Sequence, residues 1–315
     1  MDAPLVVLLH PQLYVVALDG LALVGHFVFA LQVGQVARDV RVTQREGCLG
    51  LAAAEVGLER SRRLLAEYDR SVDPDVWIER RAGLTPQERT RAQRANLALV
   101  ASSHEQGIRL LVADSLGAES ESLPPAMFSW GQTECLNWPK VAIVGTRGAS
   151  VYGKAVAQKF AEALARAGVG VVSGGALGID AAAHEGAIAG GGPTVAVLPS
   201  GVDRPYPMVN AALFRRIRES GCLLSQFALG QVPREYHFIH RNRTIAALSQ
   251  AVLVVEAPAR SGALSTASTA AELGREVFVV PGNISTDRFQ GSHALIRDGA
   301  TLCDHPDQIL QSLDI

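Results

Sequence analysis

KVAIVGTRGASVYGKAVAQKFAEALARAGVGVVSGG, residues 140–175, holds two short apolar runs, VAIVG at 141–145 and VGVVSG at 169–174. Between them runs an amphipathic segment, Val151 to Ala167, stopped by Gly168. The runs are continuous rather than alternating, as strands buried on both faces of a parallel sheet are, and a glycine just past an amphipathic run is a helix C-cap signal. The pattern continues with TVAVLP at 194–199, CLLS at 222–225, AVLVVE at 251–256 and EVFVVPG at 276–282. Helical segments from Met208 to Ser220 and from Leu264 to Leu273 are closed by Gly221 and Gly274. The spacing predicts an α/β fold, a doubly wound and mostly parallel sheet.

Upstream the pattern changes. At about 150 residues per domain, 315 residues suggest one large domain and a smaller one. The division is placed at 1–110, small and mainly helical, and 111–315. Thr85-Pro-Gln-Glu88 has capping-box spacing and opens a helix to about Val100. Ile108 to Val112 reads as a short strand, and Asp114 to Pro125 as a linker or exposed loop. Leu13 to Val33 is apolar, but it contains Asp19 and His26 and lacks a basic flank and cleavage motif, so it reads as a buried helix rather than a membrane span or leader.

With 48% hydrophobic and 19% charged residues, the chain falls outside the disordered, collagen-like and coiled-coil classes. The net charge of −2 conceals an uneven distribution: residues 140–250 carry 12 basic and 6 acidic side chains, an excess compatible with a polyanion partner. Cys48, Cys135, Cys222 and Cys303 show no metal-ligand spacing, so no metal site is expected, and a reducing, cytoplasmic setting fits.

In an open parallel sheet, ligands bind beyond the carboxyl ends of the strands, where helix N-termini offer free N–H groups. The first such end, Gly145-Thr146-Arg147-Gly148-Ala149-Ser150, is not GxGxxG, and the next strand ends in Ser173-Gly174-Gly175-Ala176 without the acid a dinucleotide ribose needs. An anion cradle rimmed by Arg147 remains, beside a glycine-rich second end that a phosphate can approach closely; a tight turn with a solvated arginine is the plainer alternative. Asp180 and His184, one turn apart, suit a helix cap with a hydrogen-bonded histidine better than a metal site. Asp203 and Tyr206 read as structural turn residues. Pro233-Arg234-Glu235-Tyr236-His237-Phe238-Ile239-His240-Arg241-Asn242-Arg243 interleaves rings with arginines, the chemistry that single-stranded nucleic acid requires, or else forms a surface loop with Phe238 packed inward. Ser261, Gly262 and Thr266 open a further helix with hydroxyl and N–H groups. Glu256 is the single carboxylate at this crest with general-base potential, and no nucleophile pairs with it, so no catalytic residue is assigned.

Six ordered motifs, GTRxxSxYG, SGGAxGIDxxAH, AVLxxGxDxxYPxxN, FxxRNRxIAxLS, VVEAxxxSGxLxTA and VPG followed by GSxxLI, follow one another from Gly145 to Ile296, within a match over about residues 124–303. Together they resemble the DNA-processing protein A family, also called Smf. The resemblance implies a Rossmann-like domain that binds single-stranded DNA, forms a homodimer and helps load a RecA-type recombinase in natural transformation, with no enzymatic turnover and no cofactor. By position it implies a phosphate pocket of Gly145, Thr146, Arg147 and Ser150, a base stacked on Phe238, and an RNR element of Arg241, Asn242 and Arg243, the last facing the pocket or bracing the fold. Glu235 stands where relatives carry lysine, so Arg234 is expected to take that phosphate contact. Gln226-Phe227 replaces a usual Glu, and His293 a usual Asn. The helix-hairpin-helix glycines of relatives are not evident before residue 110, and no winged helix is expected after Ile315. Leu295 and Ile296 mark a candidate dimer face. The rival reading is a nucleotide-binding enzyme of the lysine-decarboxylase-like phosphoribohydrolase class, whose PGGxGTxxE motif is missing here; a nucleotide-sensing module is a third.

Overall fold

The structure is a computed structural model that describes residues 6–10, 13–16, 107–112, 122–124 and 126–315. It divides into two units, Met1–Arg41 and Val42–Ile315. In the first, Val6–His10 (β1) pairs antiparallel with Leu13–Val16 (β2). Residues 13–16 are therefore strand and not the start of the expected helix; Leu-Tyr-Val-Val is aromatic and β-branched, a composition that fits a pleated surface. The rest of that segment and the expected helix from Thr85 lie outside the described residues.

The second unit is built on a nine-stranded sheet. Its strands are Ile108–Val112 (β3), Ala126–Gly131 (β4), Lys140–Val144 (β5), Gly170–Ser173 (β6), Thr194–Val197 (β7), Cys222–Ser225 (β8), Ala251–Val254 (β9), Glu276–Val279 (β10) and Thr301–Leu302 (β11). Their order across the sheet is β11-β10-β9-β5-β6-β7-β8-β4-β3. All are parallel except β4 and β3, which add antiparallel at one edge. The helices are Val151–Arg166 (α1), Ile179–Ala189 (α2), Ala211–Ser220 (α3), Glu235–Ala247 (α4), Gly262–Glu272 (α5), Gln290–Arg297 (α6) and Pro306–Ser312 (α7).

The order explains the two layers of helices. From β5 the chain steps outward to β8 through α1, α2 and α3, then α4 carries it back past β5 to β9, and α5 and α6 continue the other way. Right-handed crossovers that reverse direction put their helices on opposite faces of a sheet. Accordingly Val141 and Ile143 of β5 pack with Phe160 and Leu164 of α1, whereas Ala142 and Val144 pack with Ile245 of α4 and Ala267 of α5. Leu295 and Ile296 of α6 are partly buried against that second layer. Among the described residues, no helix is long and apolar enough to cross a membrane.

Gly186 of α2 lets that helix press on α1: a Cβ there would come 2.8 Å from the Cα of Gln158. Deeper in the same helix, His184 is wholly buried, with Nδ1 2.7 Å from Oγ1 of Thr194. The Thr194 hydroxyl donates to Val171 O, so Nδ1 carries the proton and donates to Thr194. Burial, aided by the Arg241 charge, lowers this imidazole to about 3. Among the described residues, no three His, Cys, Asp or Glu side chains gather to hold a metal.

Two outcomes follow from this packing. Gly186→Ala improves helix propensity by about 1 kcal/mol, but overpacking costs about 1–3 kcal/mol, and the obstacle is backbone that cannot step aside; urea unfolding should show net destabilisation. His184 stays neutral in the fold while the unfolded chain protonates below its usual value of 6.5. Its contribution is therefore intact above pH 6.5 and shrinks on acidification towards about 3, at up to about 1.4 kcal/mol per pH unit. Unfolding curves of His184→Gln measured between pH 7 and pH 5 should lack that part of the slope.

Candidate functional site

The carboxyl ends of β5 and β9 meet where the sheet reverses direction, the place where open α/β sheets ordinarily take a ligand. Here the place is filled from within. Glu256, fully buried just past β9, accepts from Ser150 N at 3.1 Å and from Ser150 Oγ at 2.5 Å. Ser150 is the N-cap of α1, accepting from Gly153 N at 2.9 Å. Arg288 closes the site with Nη1 3.2 Å from Glu256 Oε1 and 2.7 Å from Gly148 O. The helix end that would hold a free anion thus holds the chain's own carboxylate, which is the favourable charge for a helix N-terminus.

An open cleft of about 80 Å3 lies further along the crest, beyond β6 and β7. Arg147, Gly174, Ala176, Leu177, Tyr206, Pro207, Phe238 and Arg241 line it. Arg147 comes from an exposed turn that is nevertheless held: Thr146 N donates to Glu256 O at 2.8 Å, and Gly148 N to Thr146 Oγ1 at 3.2 Å. Phe238 projects from the first turn of α4, the helix into which the structure resolves the arginine-rich segment. The Arg147 guanidinium sits 4.8 Å from the Phe238 ring centroid and that of Arg241 6.0 Å. Tyr206 meets Phe238 edge-on at 6.2 Å.

Arg241 is almost fully buried, and burial lowers its guanidinium from the usual value while the Asp180 carboxylate opposes the shift. Burial likewise raises Asp180, against the pull of Arg241 and of the Ala176 N–H. Arg241 Nη1 donates to Val197 O at 3.2 Å. Gly174 makes room for it, since a methyl group there would overlap the guanidinium and stand 2.7 Å from Asp180 Oδ2.

Of the residues singled out in the sequence, Arg147, Gly174, Phe238 and Arg241 are brought together. Gly145 and Gly175 lie beneath the crest against Ile179 and Phe214. Ser150 is turned to Glu256, and Thr146 braces its own turn. His237 is buried, stacked on Phe227 at 3.9 Å, and donates through Nδ1 to Pro199 O at 2.8 Å, because a carbonyl can only accept. Asn242 is tied to α5 through Gly262 O at 3.2 Å and Ser265 Oγ at 2.9 Å. Ser261 caps α5, Thr266 is buried within it, and Arg234 and Arg243 are exposed. Gln226 accepts from Thr244 at 2.7 Å, and His293 pairs with Gly282 O at 3.1 Å, so both departures from the family pattern find partners. Asp203 accepts from Gly230 N, as a turn residue does. Tyr206, read as structural, in fact lines the cleft with Leu177; its signal was an aromatic ring in a loop at a strand's carboxyl end.

Residues 114–314 match the family model described as DNA recombination-mediator protein A. The chain is 47% identical over 170 residues to a putative DNA processing protein DprA of Mycobacterium tuberculosis, covering 54% of this chain and 44% of that protein. It is 42% identical over 207 residues to protein Smf of Escherichia coli, covering 62% and 55%. It thus spans about half the length of these curated relatives. The X-ray structure of DprA from Streptococcus pneumoniae superposes with a TM-score of 0.69 at 31% identity, covering 85% of this chain and 97% of that one. DNA processing protein A from Helicobacter pylori, solved to describe its single-stranded DNA binding mode, gives 0.56 at 32%, covering 60% and 87%. With well over half of its residues inside the family model, and a sheet that superposes on solved members, the chain belongs to the DNA recombination-mediator protein A family.

Proposed function

We propose that this chain is a single-stranded DNA-binding protein of DNA processing and natural transformation, which protects incoming strands and helps load a RecA-type recombinase. It acts in the cytoplasm, as a homodimer and without enzymatic turnover. The observation that carries the reading is the Phe238 ring flanked by the guanidinia of Arg147 and Arg241 in an open cleft. Any base can stack on a ring, and any phosphate can pair with a guanidinium, so the recognition is independent of sequence. Arg147, which is exposed and pairs with no acid among the described residues, leaves the ring for a phosphate and uncovers it for a base. Arg204, Arg234 and Arg260, in the loops after β7, β8 and β9, are exposed as well.

The single-strand reading of the H. pylori relative agrees with this chemistry. The cleft is far below the roughly 300 Å3 from which small-molecule pockets begin, which favours a strand lying across the crest over an enclosed mononucleotide. Because so small a cleft holds few nucleotides, useful affinity comes from two clefts of a dimer acting on one strand.

Fluorescence anisotropy with a labelled oligonucleotide of about 30 nucleotides, single-stranded and duplex, should show tight single-strand binding that weakens steeply with salt. Phe238→Ala should cost about 1–3 kcal/mol of binding. Arg147→Ala should weaken binding and lower the salt slope by about 0.7. Equal affinity of Arg147→Ala and wild type would remove the cleft from the interaction, and recognition of AMP without strands would return the chain to the nucleotide-binding enzymes.

A further inference from the structure

Arg288 does something that an exposed arginine on a DNA-binding crest has no need to do. Its side chain is about half exposed, 51%, yet the guanidinium turns inward, and one nitrogen, Nη1, meets both Gly148 O at 2.7 Å and the buried Glu256 at 3.2 Å. Gly148 is the residue after Arg147, and both are exposed at the tip of their turn. The flanks of that turn are fixed by main-chain bonds, Thr146 N to Glu256 O and Ser150 N to the Glu256 carboxylate. The tip has two described ties, the Thr146 hydroxyl accepting from Gly148 N and Arg288 donating to Gly148 O. The base of the clamp is itself anchored. Arg288 lies in a short turn, Asp287–Phe289, that Thr286 caps, and the neighbouring Phe289 is buried with Tyr152 of α1 edge-on at 6.2 Å.

We propose that Arg288 is a positioning residue for the strand-binding cleft: it clamps Gly148 to Glu256 and so holds the turn that presents Arg147 beside Phe238. The inference rests on the single-stranded DNA reading above. A turn held in place before binding loses less conformational freedom when its arginine takes a phosphate, and that saving appears as affinity. Arg288 touches no part of the strand and acts through Arg147. A single ammonium can meet the same two acceptors, so lysine should replace it and uncharged side chains should not.

The test is a double-substitution cycle read by anisotropy on a labelled single-stranded oligonucleotide, with wild type, Arg147→Ala, Arg288→Ala, the double variant and Arg288→Lys. Arg288→Ala should weaken binding about threefold to tenfold. In the Arg147→Ala background the same change should alter affinity less than about twofold, since coupled residues fail to add. Arg288→Lys should recover most of the loss. Should alanine prevent folding, Arg288→Met keeps the apolar stem and carries the same expectation. Amide hydrogen exchange of the peptide covering 145–153, measured without DNA, should quicken in Arg288→Ala. Equal losses in both backgrounds would overturn the proposal by making Arg288 a direct strand contact. Wild-type affinity or wild-type exchange in Arg288→Ala would overturn it by making the clamp inert. A wild-type protein that binds no strand would fail the DNA reading instead, and the exchange result would still report on the clamp.

Discussion

A carboxylate without access to water, Glu256, joins the two halves of the sheet. It sits where the chain, having laid down β5 to β8 in one direction, restarts at β9 in the other. Burying a charge is costly unless hydrogen bonds and a counter-charge surround it. Here the N-cap of α1 supplies two donors and Arg288 the opposite charge. The helix dipole adds to this, because the partial positive end of α1 faces the carboxylate. The β5–α1 turn, the start of α1 and the loop after β10 are all fastened to the same group. The cost is that the usual anion site of such folds is occupied, and an incoming anion must be met elsewhere along the crest.

That displacement accounts for the cleft at the ends of β6 and β7. Its positive charge comes from two arginines in different circumstances. Arg147 stands in solvent on a braced turn, free to exchange a ring for a phosphate. Arg241 is buried over Gly174 with Asp180 behind it, so its position is fixed while part of its charge is already answered. His184, in the same interior, stays neutral and adds no further positive charge beneath the pair. Removing Arg241 would leave a buried carboxylate unanswered, a loss of about 3–5 kcal/mol in comparable cases. For that reason the contributions of the cleft to binding are separable at Arg147 and Phe238 but not at Arg241, whose removal disturbs the fold as well.

Much of the sheet was legible because burial on both faces leaves a mark in the sequence: each run from VAIV to EVFV became a strand within a residue or two of its apolar limits. The helix closures at Gly168, Gly221 and Gly274 were equally plain. The antiparallel strand β4, AMFSWG, which lies between β8 and the edge strand β3, was missed, since its apolar and polar residues mix and one of its two partners, β8, is nearly a hundred residues away. The segment from Pro233 to Arg243 was read for its chemistry and not for its shape, yet its helical spacing is what separates Phe238 and Arg241, at the cleft, from His237, in the core. Sequence proximity alone placed all three at the site. The partner of Ser150 was hidden for a related reason. A hydroxyl at a helix N-terminus looks like an anion ligand, and only the fold shows that the anion is Glu256, 106 residues further on.

The proposed strand binding asks a nearly neutral chain to favour a polyanion, and the placement of its charges bears on this. The basic excess of residues 140–250 includes Arg147, Arg204, Arg234 and Arg241, carried in the loops after β5, β7 and β8 and the first two turns of α4, whereas Arg243 lies further along that helix. Two acids behind the sheet's carboxyl end are withdrawn, Glu256 and Asp180, both buried among donors, while Asp203 is engaged by Gly230 and Glu235 stays exposed beside Arg234. At the cleft itself the counter-charge of Arg241, Asp180, lies inward, and in the proposed reading the field that a strand feels there is set by placement and not by net charge. Arginine suits this better than lysine, since a planar and weakly hydrated cation can rest on an aromatic face until a phosphate arrives. In the proposed reading Arg147 over Phe238 is that resting state, which keeps ring and cation together, ready to separate into the stacking surface and the phosphate contact that one nucleotide needs.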